Sequence, residues 1–353
     1  MDREPGDRKV SVMMLAGMSA LGLGIAVGTV PVPYVVESPG PSYNTLGKIN
    51  GDPVINISGR PVYPAAGNLD LTTVYVDGGP NSPVSILRAF SAWLDPGKSV
   101  HPVELLYPTG TTKEEAEEQS SMAMASSQEN AVAAALNELD IPFGEKLQAA
   151  EIPEGSASAG KILPGDIFAS INGKPVTALS VIQKELAARG GAPATVVVDR
   201  AGKPVTVSIT PQEVEGRHIL GVMLKYLFTF PIDVKVSLEK VGGPSAGLMF
   251  SLGVIDTITP GDLTGGRHIA GTGTISPDGQ VGPIGGIRQK MQGARDAGAT
   301  LFLAPAENCN EVVDHVPDGL QVVRVETLAD ARAAVERTGN GLDTAALPAC
   351  KSN

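Results

Sequence analysis

Residues 239–256 read EKVGGPSAGLMFSLGVID. A serine, Ser245, stands between Gly-Gly-Pro and Ala-Gly, and an apolar run follows it. The glycines and proline interrupt regular structure, and Leu248, Leu252 and Ile255 then recur at helical spacing on one side. The stretch 244–258 is therefore predicted as a helix. DVKVSL before it and HIAGTGTIS after it read as strands, so this part of the chain is α/β. Ser245 has two readings here. It is either an N-cap, the commonest use of a serine at a helix start, or a nucleophile. No Gly-x-Ser-x-Gly elbow surrounds it, and His101, His218, His268 and His315 are scattered. A nucleophile at this position needs some other group to take its proton.

A second helix, IRQKMQGARDAGA from Ile287, supplies a candidate. At about 100° per residue, Ile287, Met291, Ala294, Ala297 and Gly298 form its apolar side. Arg288, Gln289, Gln292, Arg295 and Asp296 fall on the other side, but Lys290 falls among the apolar residues. An ordinary lysine at such a boundary extends its amine back to water. The alternative is a desolvated amine, for which burial disfavours the charged form, so that it accepts a proton near neutral pH. A hydroxyl beside a neutral lysine is a nucleophile–base pair that requires no histidine. A helix start also directs free N–H groups at a developing oxyanion, and glycines allow close approach of substrate. Gly243, Ser245 and Ala246 are the candidates for that role.

Composition narrows the partners. The chain has 353 residues, room for more than one domain, and a net charge of −11. An acidic surface gives no general grip on phosphate backbones, so nucleic acid is not an expected partner. The histidines and the two cysteines have no metal-ligand spacing, and neither metal nor cofactor is expected. Residues 10–36 carry no charge, whereas Arg3, Arg8 and Lys9 precede them and no Lys or Arg follows until Lys48. That pattern predicts a transmembrane helix over 10–30, residues 1–9 cytoplasmic, and the body outside. A cleaved signal peptide, with Ala26-Val27-Gly28 as a small-residue site, is the other reading. Both place Cys309 and Cys350 outside the cytosol, where a bridge would pin the end of the chain; two free thiols are the alternative.

Residues 111–140 are helical by pattern, with Thr112 and Glu115 as a capping box and Met122, Ala125, Ala131, Ala134, Ala135 and Leu136 as one buried stripe. From Ile141 to about 213 the order becomes strand, small-residue turn, strand, Asn172-Gly173 hairpin, helix, strand, hairpin, strand. Its GSASAGKILPGDIFASINGKPV resembles the PDZ pattern of bacterial periplasmic proteases. That resemblance implies a module that takes extended peptides as an added strand, or one kept as a spacer with a blocked groove.

The remaining motifs resemble the proteolytic domain of Lon proteases. The serine lies in Gly243-Pro244-Ser245-Ala246-Gly247. Thr272-Gly273-Thr274-Ile275 follows, then Pro283-Ile284-Gly285-Gly286 with Lys290 four residues on. The resemblance implies Ser245 as nucleophile, Lys290 as general base and Thr272 as the group that orients the lysine. Two departures stand out. The Ser-to-Lys separation of 45 residues is slightly long, with the extra length assigned to TPGDLTGGRH, and Gly242 stands where the family commonly has an acid. No phosphate-binding loop is present: the candidate at 95–99 has Ala92 in place of its first glycine, and NGKPV lacks the Ser or Thr.

With the PDZ segment, the resemblance extends to membrane-anchored, PDZ-containing Lon-like serine proteases of bacteria. The implied fold is an α/β (α+β) Lon-type proteolytic domain with an inserted PDZ domain and one N-terminal transmembrane helix. The divisions expected are 36–140 and 214–340 for the protease, 141–213 for PDZ and 341–353 for a tail. The implied activity is an ATP-independent endopeptidase. Its partners would be exported or membrane polypeptides, a PDZ peptide ligand, the lipid bilayer and further copies of itself. The rival from another class is a non-catalytic, membrane-tethered PDZ scaffold.

Overall fold

The computed structural model describes residues 5–80, 82–238 and 241–351. The chain forms two compact units, one of Met1–Asp140 with Ile232–Asn353 and one of Ile141–Pro231.

The first unit is built on a six-stranded sheet in the order Gln321–Val325, Leu301–Pro305, His268–Gly271, Asn68–Asp77, Tyr34–Asn44, Ser99–Pro102. The first three pairings are parallel and the last two antiparallel. Leu301–Pro305 is buried at every residue, as expected of a parallel strand covered on both faces. The helix after Ser245, Gly247–Ile258, is buried all round rather than on one side: Met249, Phe250 and Val254 are as enclosed as Leu248, Leu252 and Ile255. Each such side chain contributes about 1.5–3 kcal/mol by leaving water. The one polar hydroxyl in its middle, Ser251, donates to Ala131 O at 3.1 Å and Gly247 O at 3.0 Å, so its burial leaves no unmet donor. Gly247 is needed for the packing, because a Cβ there would lie 2.9 Å from Ser127 Oγ and 2.8 Å from Ile275 Cγ2.

Lys113–Glu138 is one long helix, capped as expected: Glu115 N donates to Thr112 Oγ1 and the Glu115 carboxylate accepts from Thr112 N. The single stripe is a correction. Met122 and Ala125 are exposed, Met124 and Ser127 are buried in their place, and Ala131–Leu136 are buried in succession. Ala131–Leu136, more than a full turn, are enclosed on all sides, and a fully enclosed turn carries no stripe. Cys309 and Cys350 are joined by a disulfide. It closes the segment after Leu301–Pro305 onto the chain end, which also lies along the sheet edge through Arg324 N to Pro348 O at 2.8 Å.

The second unit is an antiparallel sheet in the order Lys203–Ile209, Ala194–Arg200, Ile167–Ile171, Gly144–Glu151, Met223–Thr229, with one helix, Leu179–Arg189. Asn172 and Gly173 both have positive φ, 50° and 81°, as the hairpin requires. The buried Asp166 carboxylate takes two bonds from Arg200, at 2.8 and 2.6 Å, which hold its pKa down and tie the turn before Ile167 to the opposite strand. The unit ends at Pro231 and not at 213, because Met223–Thr229 pairs with Gly144–Glu151 along its whole length.

The expected span over 10–30 forms a helix, Pro5–Gly28. Among the described residues, however, no helix is long and apolar enough to cross a membrane. The Pro5–Gly28 helix also stops short of residue 30.

Candidate active site

Ser245 lies in the turn just before Gly247–Ile258 and caps nothing. The N-cap position is Ala246, and no side chain bonds the free N–H groups of the first turn. The N-cap reading of this serine is thereby overturned. Its turn is fastened to the long helix at two points: Gly243 N donates to Ser120 O at 3.0 Å, and Ser127 Oγ donates to Pro244 O at 2.9 Å. The same closeness bears on Gly242. A Cβ there would lie 2.1 Å from Ser120 Oγ, so a side chain at 242 would first have to turn that hydroxyl aside.

Lys290 arrives from the helix Ile287–Asp296, which starts at Gly286 in the left-handed region with φ 67°. Its Nζ lies 2.8 Å from Ser245 Oγ and 3.1 Å from Thr272 Oγ1. Lys290 is 3% exposed and Thr272 0%. Burial pushes the lysine amine down from 10.5 to about 7, and the negative charge of the buried Glu37 opposes that shift. The snorkelling alternative is therefore not the one realised.

The hydroxyl of Thr272 settles the direction of the network. Its single proton goes to Ser245 O at 3.0 Å, beside Gly273 N at 2.9 Å. Toward Lys290 it can only accept. A lysine N–H is thus fixed on Thr272, and in the neutral amine the lone pair is left for the Ser245 hydroxyl.

Of the three expected oxyanion donors, Gly243 is corrected, since its N–H is spent on Ser120 O. Among the described residues the N–H groups of Ser245 and Ala246 have no backbone acceptor. A small cavity of about 150 Å³ opens over Ser245 and Lys290, walled by residues 72–75 of strand Asn68–Asp77 and by Met124. A groove of about 950 Å³ shares Met124, Val241 and Gly242 with it and continues along Val76 and Asp77.

Two residues had no signal in the sequence reading. Glu37, on strand Tyr34–Asn44, sits within 3.5 Å of where a Cβ on Gly286 would lie, and 3.6 Å from His101 Nε2. Glu37→Gln should move the acid limb of kcat/KM to lower pH, because it removes the charge that favours the ammonium; an unmoved limb would show that Glu37 is not felt at Lys290. Asn308 is the other. It is 2% exposed, accepts from Ile284 N and donates to Ile284 O, both at 2.9 Å, so it clamps the turn that leads into the lysine helix. Asn308→Ala leaves both backbone groups unmet, at about 1–3 kcal/mol each. It should lower the melting temperature and cut kcat/KM roughly tenfold or more at little change in KM, through misplacement of Lys290. A variant with lower stability and unchanged kcat would remove Asn308 from the site.

Residues 236–335, the segment holding Ser245, Thr272 and Lys290, match the family model of the Lon protease (S16) C-terminal proteolytic domain. A Lon protease 2 of Herpetosiphon aurantiacus is 39% identical over 102 residues, 27% of this chain and 12% of that protein. Lon protease 2 of Bacillus subtilis is 35% identical over 92 residues, 26% of this chain and 16% of its own length. The Lon protease of Campylobacter concisus is 28% identical over 157 residues, 43% of this chain and 19% of its own. The chain thus spans less than a fifth of the length of these relatives. Among solved structures, PDZ domains of SdrC-like proteins from Listeria innocua and Listeria monocytogenes are 16% and 14% identical over 22% of this chain. They match over 92% and 85% of their own lengths, each at a TM-score of 0.21.

Proposed function

We propose that the chain is a serine endopeptidase that runs on a Ser245–Lys290 dyad and needs no ATP hydrolysis of its own. The observation that carries this reading is a buried lysine amine, its pKa lowered by burial to about 7, that lies 2.8 Å from a serine hydroxyl beside a small cavity. Lys290 takes the Ser245 proton as Oγ bonds to the scissile carbonyl carbon. The oxyanion is held by the N–H groups of Ser245 and Ala246. Lys290 then gives the proton to the departing amine, the C–N bond breaks and an ester on Ser245 remains. Water, deprotonated by the same amine, hydrolyses that ester and restores the hydroxyl.

The substrate class follows from the strand beside the cavity. Residues 68–71 pair with His268–Gly271 on that edge, and beyond them residues 72–77 have no strand partner there among the described residues. An extended polypeptide fits such an edge. In the same reading the second unit is a PDZ-type module for substrate or regulatory peptides, with Met223–Thr229 at its sheet edge. The disulfide supports work in an oxidising compartment outside the cytosol. Attachment to the membrane rests on the part of the N-terminal helix from Val10 on, which carries no charge and whose Met13, Met14, Leu15, Met18, Leu21 and Leu23 are exposed.

The test is a peptide-library digestion without nucleotide. Cleavage in the absence of ATP is the expected result. A wild-type chain that cuts no peptide, with or without ligands for the second unit, would leave only the scaffold reading.

A further inference from the structure

The short helix Ile86–Trp93 is built inside out. Its inward positions are two alanines, Ala89 and Ala92, packed on Val36 and Val84. Its large apolar residues face the other way: Ile86, Leu87, Phe90, Trp93 and the following Leu94 are all exposed, Trp93 at 72%. Their spacing places them on one outer face, and the Phe90 and Trp93 rings lie side by side with centroids 6.2 Å apart. The one charge on this helix, Arg88, is drawn into an ion pair with Asp77. A continuous apolar face of this kind on the surface of an otherwise acidic chain marks a contact site.

The N-terminal helix says what covers it. Ile86 N donates to Val30 O at 3.0 Å, and Pro31 and Val32 pair with Ser85 and Val84, so the helix starts beside the point where the N-terminal helix ends. The two elements touch: a Cβ on Gly28 would lie 2.3 Å from Leu87 Cδ1, and glycine is what permits the approach. The exposed apolar residues of Pro5–Gly28 and those of Ile86–Trp93 are therefore neighbours, with a tryptophan on the shelf. Aromatic residues with an apolar body and a polar N–H favour the boundary between acyl chains and headgroups.

We propose that Leu87, Phe90, Trp93 and Leu94 form an interfacial shelf that seats on the surface of a phospholipid bilayer beside the N-terminal helix. The shelf fixes the body against the membrane at a second point, as an in-plane amphipathic helix does. It rests on the reading of this chain as membrane-attached, and adds a contact that the N-terminal helix alone does not supply.

Trp93 is the only tryptophan in the chain, so its emission reports the shelf directly. The full chain is reconstituted in phosphatidylcholine vesicles, with and without bromine on the upper acyl chain, and flotation is measured on the same samples. The expected result is blue-shifted emission that brominated lipid cuts to about half. In Phe90→Ser/Leu94→Ser the emission should shift to the red and lose most of that quenching, while cleavage of a soluble peptide is unchanged. Protein that floats with the vesicles yet has the same emission in both lipids would overturn the shelf and leave the attachment standing. Protein that neither floats nor is quenched would overturn both. Emission that turns blue with protein concentration in the absence of lipid, and ignores bromine, would assign the face to a second copy of the chain instead.

Discussion

Ser245→Ala should abolish peptide cleavage, with kcat/KM falling by about 10⁴-fold or more. The reasoning is geometric. Among the described residues, the hydroxyls that bond Lys290 Nζ are those of Ser245, at 2.8 Å, and Thr272, at 3.1 Å. Thr272 is fully buried and has committed its proton to Ser245 O, so it cannot take over as nucleophile. The fold should tolerate the change. Ser245 makes no cap, its carbonyl bonds to Thr272 and Gly273 are main-chain interactions, and alanine keeps them. A melting temperature within a degree or two of wild type, with activity gone, is the expected pair of results. Substantial residual cleavage would place the nucleophile elsewhere.

Lys290→Met should be as damaging to activity and opposite in sign for stability. Methionine fills the same channel without an amine, so nothing takes the serine proton. Lys290→Arg should fail as well, since a guanidinium stays charged and accepts no proton. For the wild type, kcat/KM should rise with pH through about 7 as the amine loses its proton. The stability effect follows from the same depressed value. Its pKa in the fold is about 7, against 10.5 for an ordinary lysine, so between those values the unfolded chain holds the proton more tightly than the folded one. The wild-type fold therefore gains stability as pH rises from about 7 toward 10.5, and its penalty is fully present below 7. Lys290→Met removes that penalty. It should raise stability by a few kcal/mol at or below neutral pH, less the two hydrogen bonds lost, and the gain should shrink as pH approaches 10.5. Denaturant unfolding of both proteins at pH 6 and pH 9.5 reads this directly; a gain independent of pH would contradict a desolvated amine.

Much of the site is legible in the sequence because its residues sit in local frames. Lys290 on the apolar side of its helix already implies burial, and Ser245 at a glycine-rich helix start already implies free N–H groups nearby. The capping box at Thr112 and the hairpin at Asn172 depend only on residues three or one apart. What depends on distant chain is not legible. Gly243 looks like an oxyanion donor until the long helix brings Ser120 O to its N–H. Met122 and Ala125 fit a helical stripe, but which turns of that helix are enclosed is decided by Gly247–Ile258, more than a hundred residues later. Glu37 acts on the lysine helix from the strand Tyr34–Asn44 and Asn308 from the short helix Ala306–Asn308, and neither lies in a motif. The end of the second unit at Pro231 is set by strand pairing back to Gly144, which no local turn signal reports.

The central claim is that Ser245 itself carries the acyl group. A peptide p-nitrophenyl ester is mixed with the full chain at pH 8, quenched in acid within the burst, digested and read by mass spectrometry. The account predicts the acyl mass on the fragment holding Ser245 and none in Ser245→Ala. Turnover with the acyl group on another residue, or with no acylated fragment while the burst is plain, would contradict it.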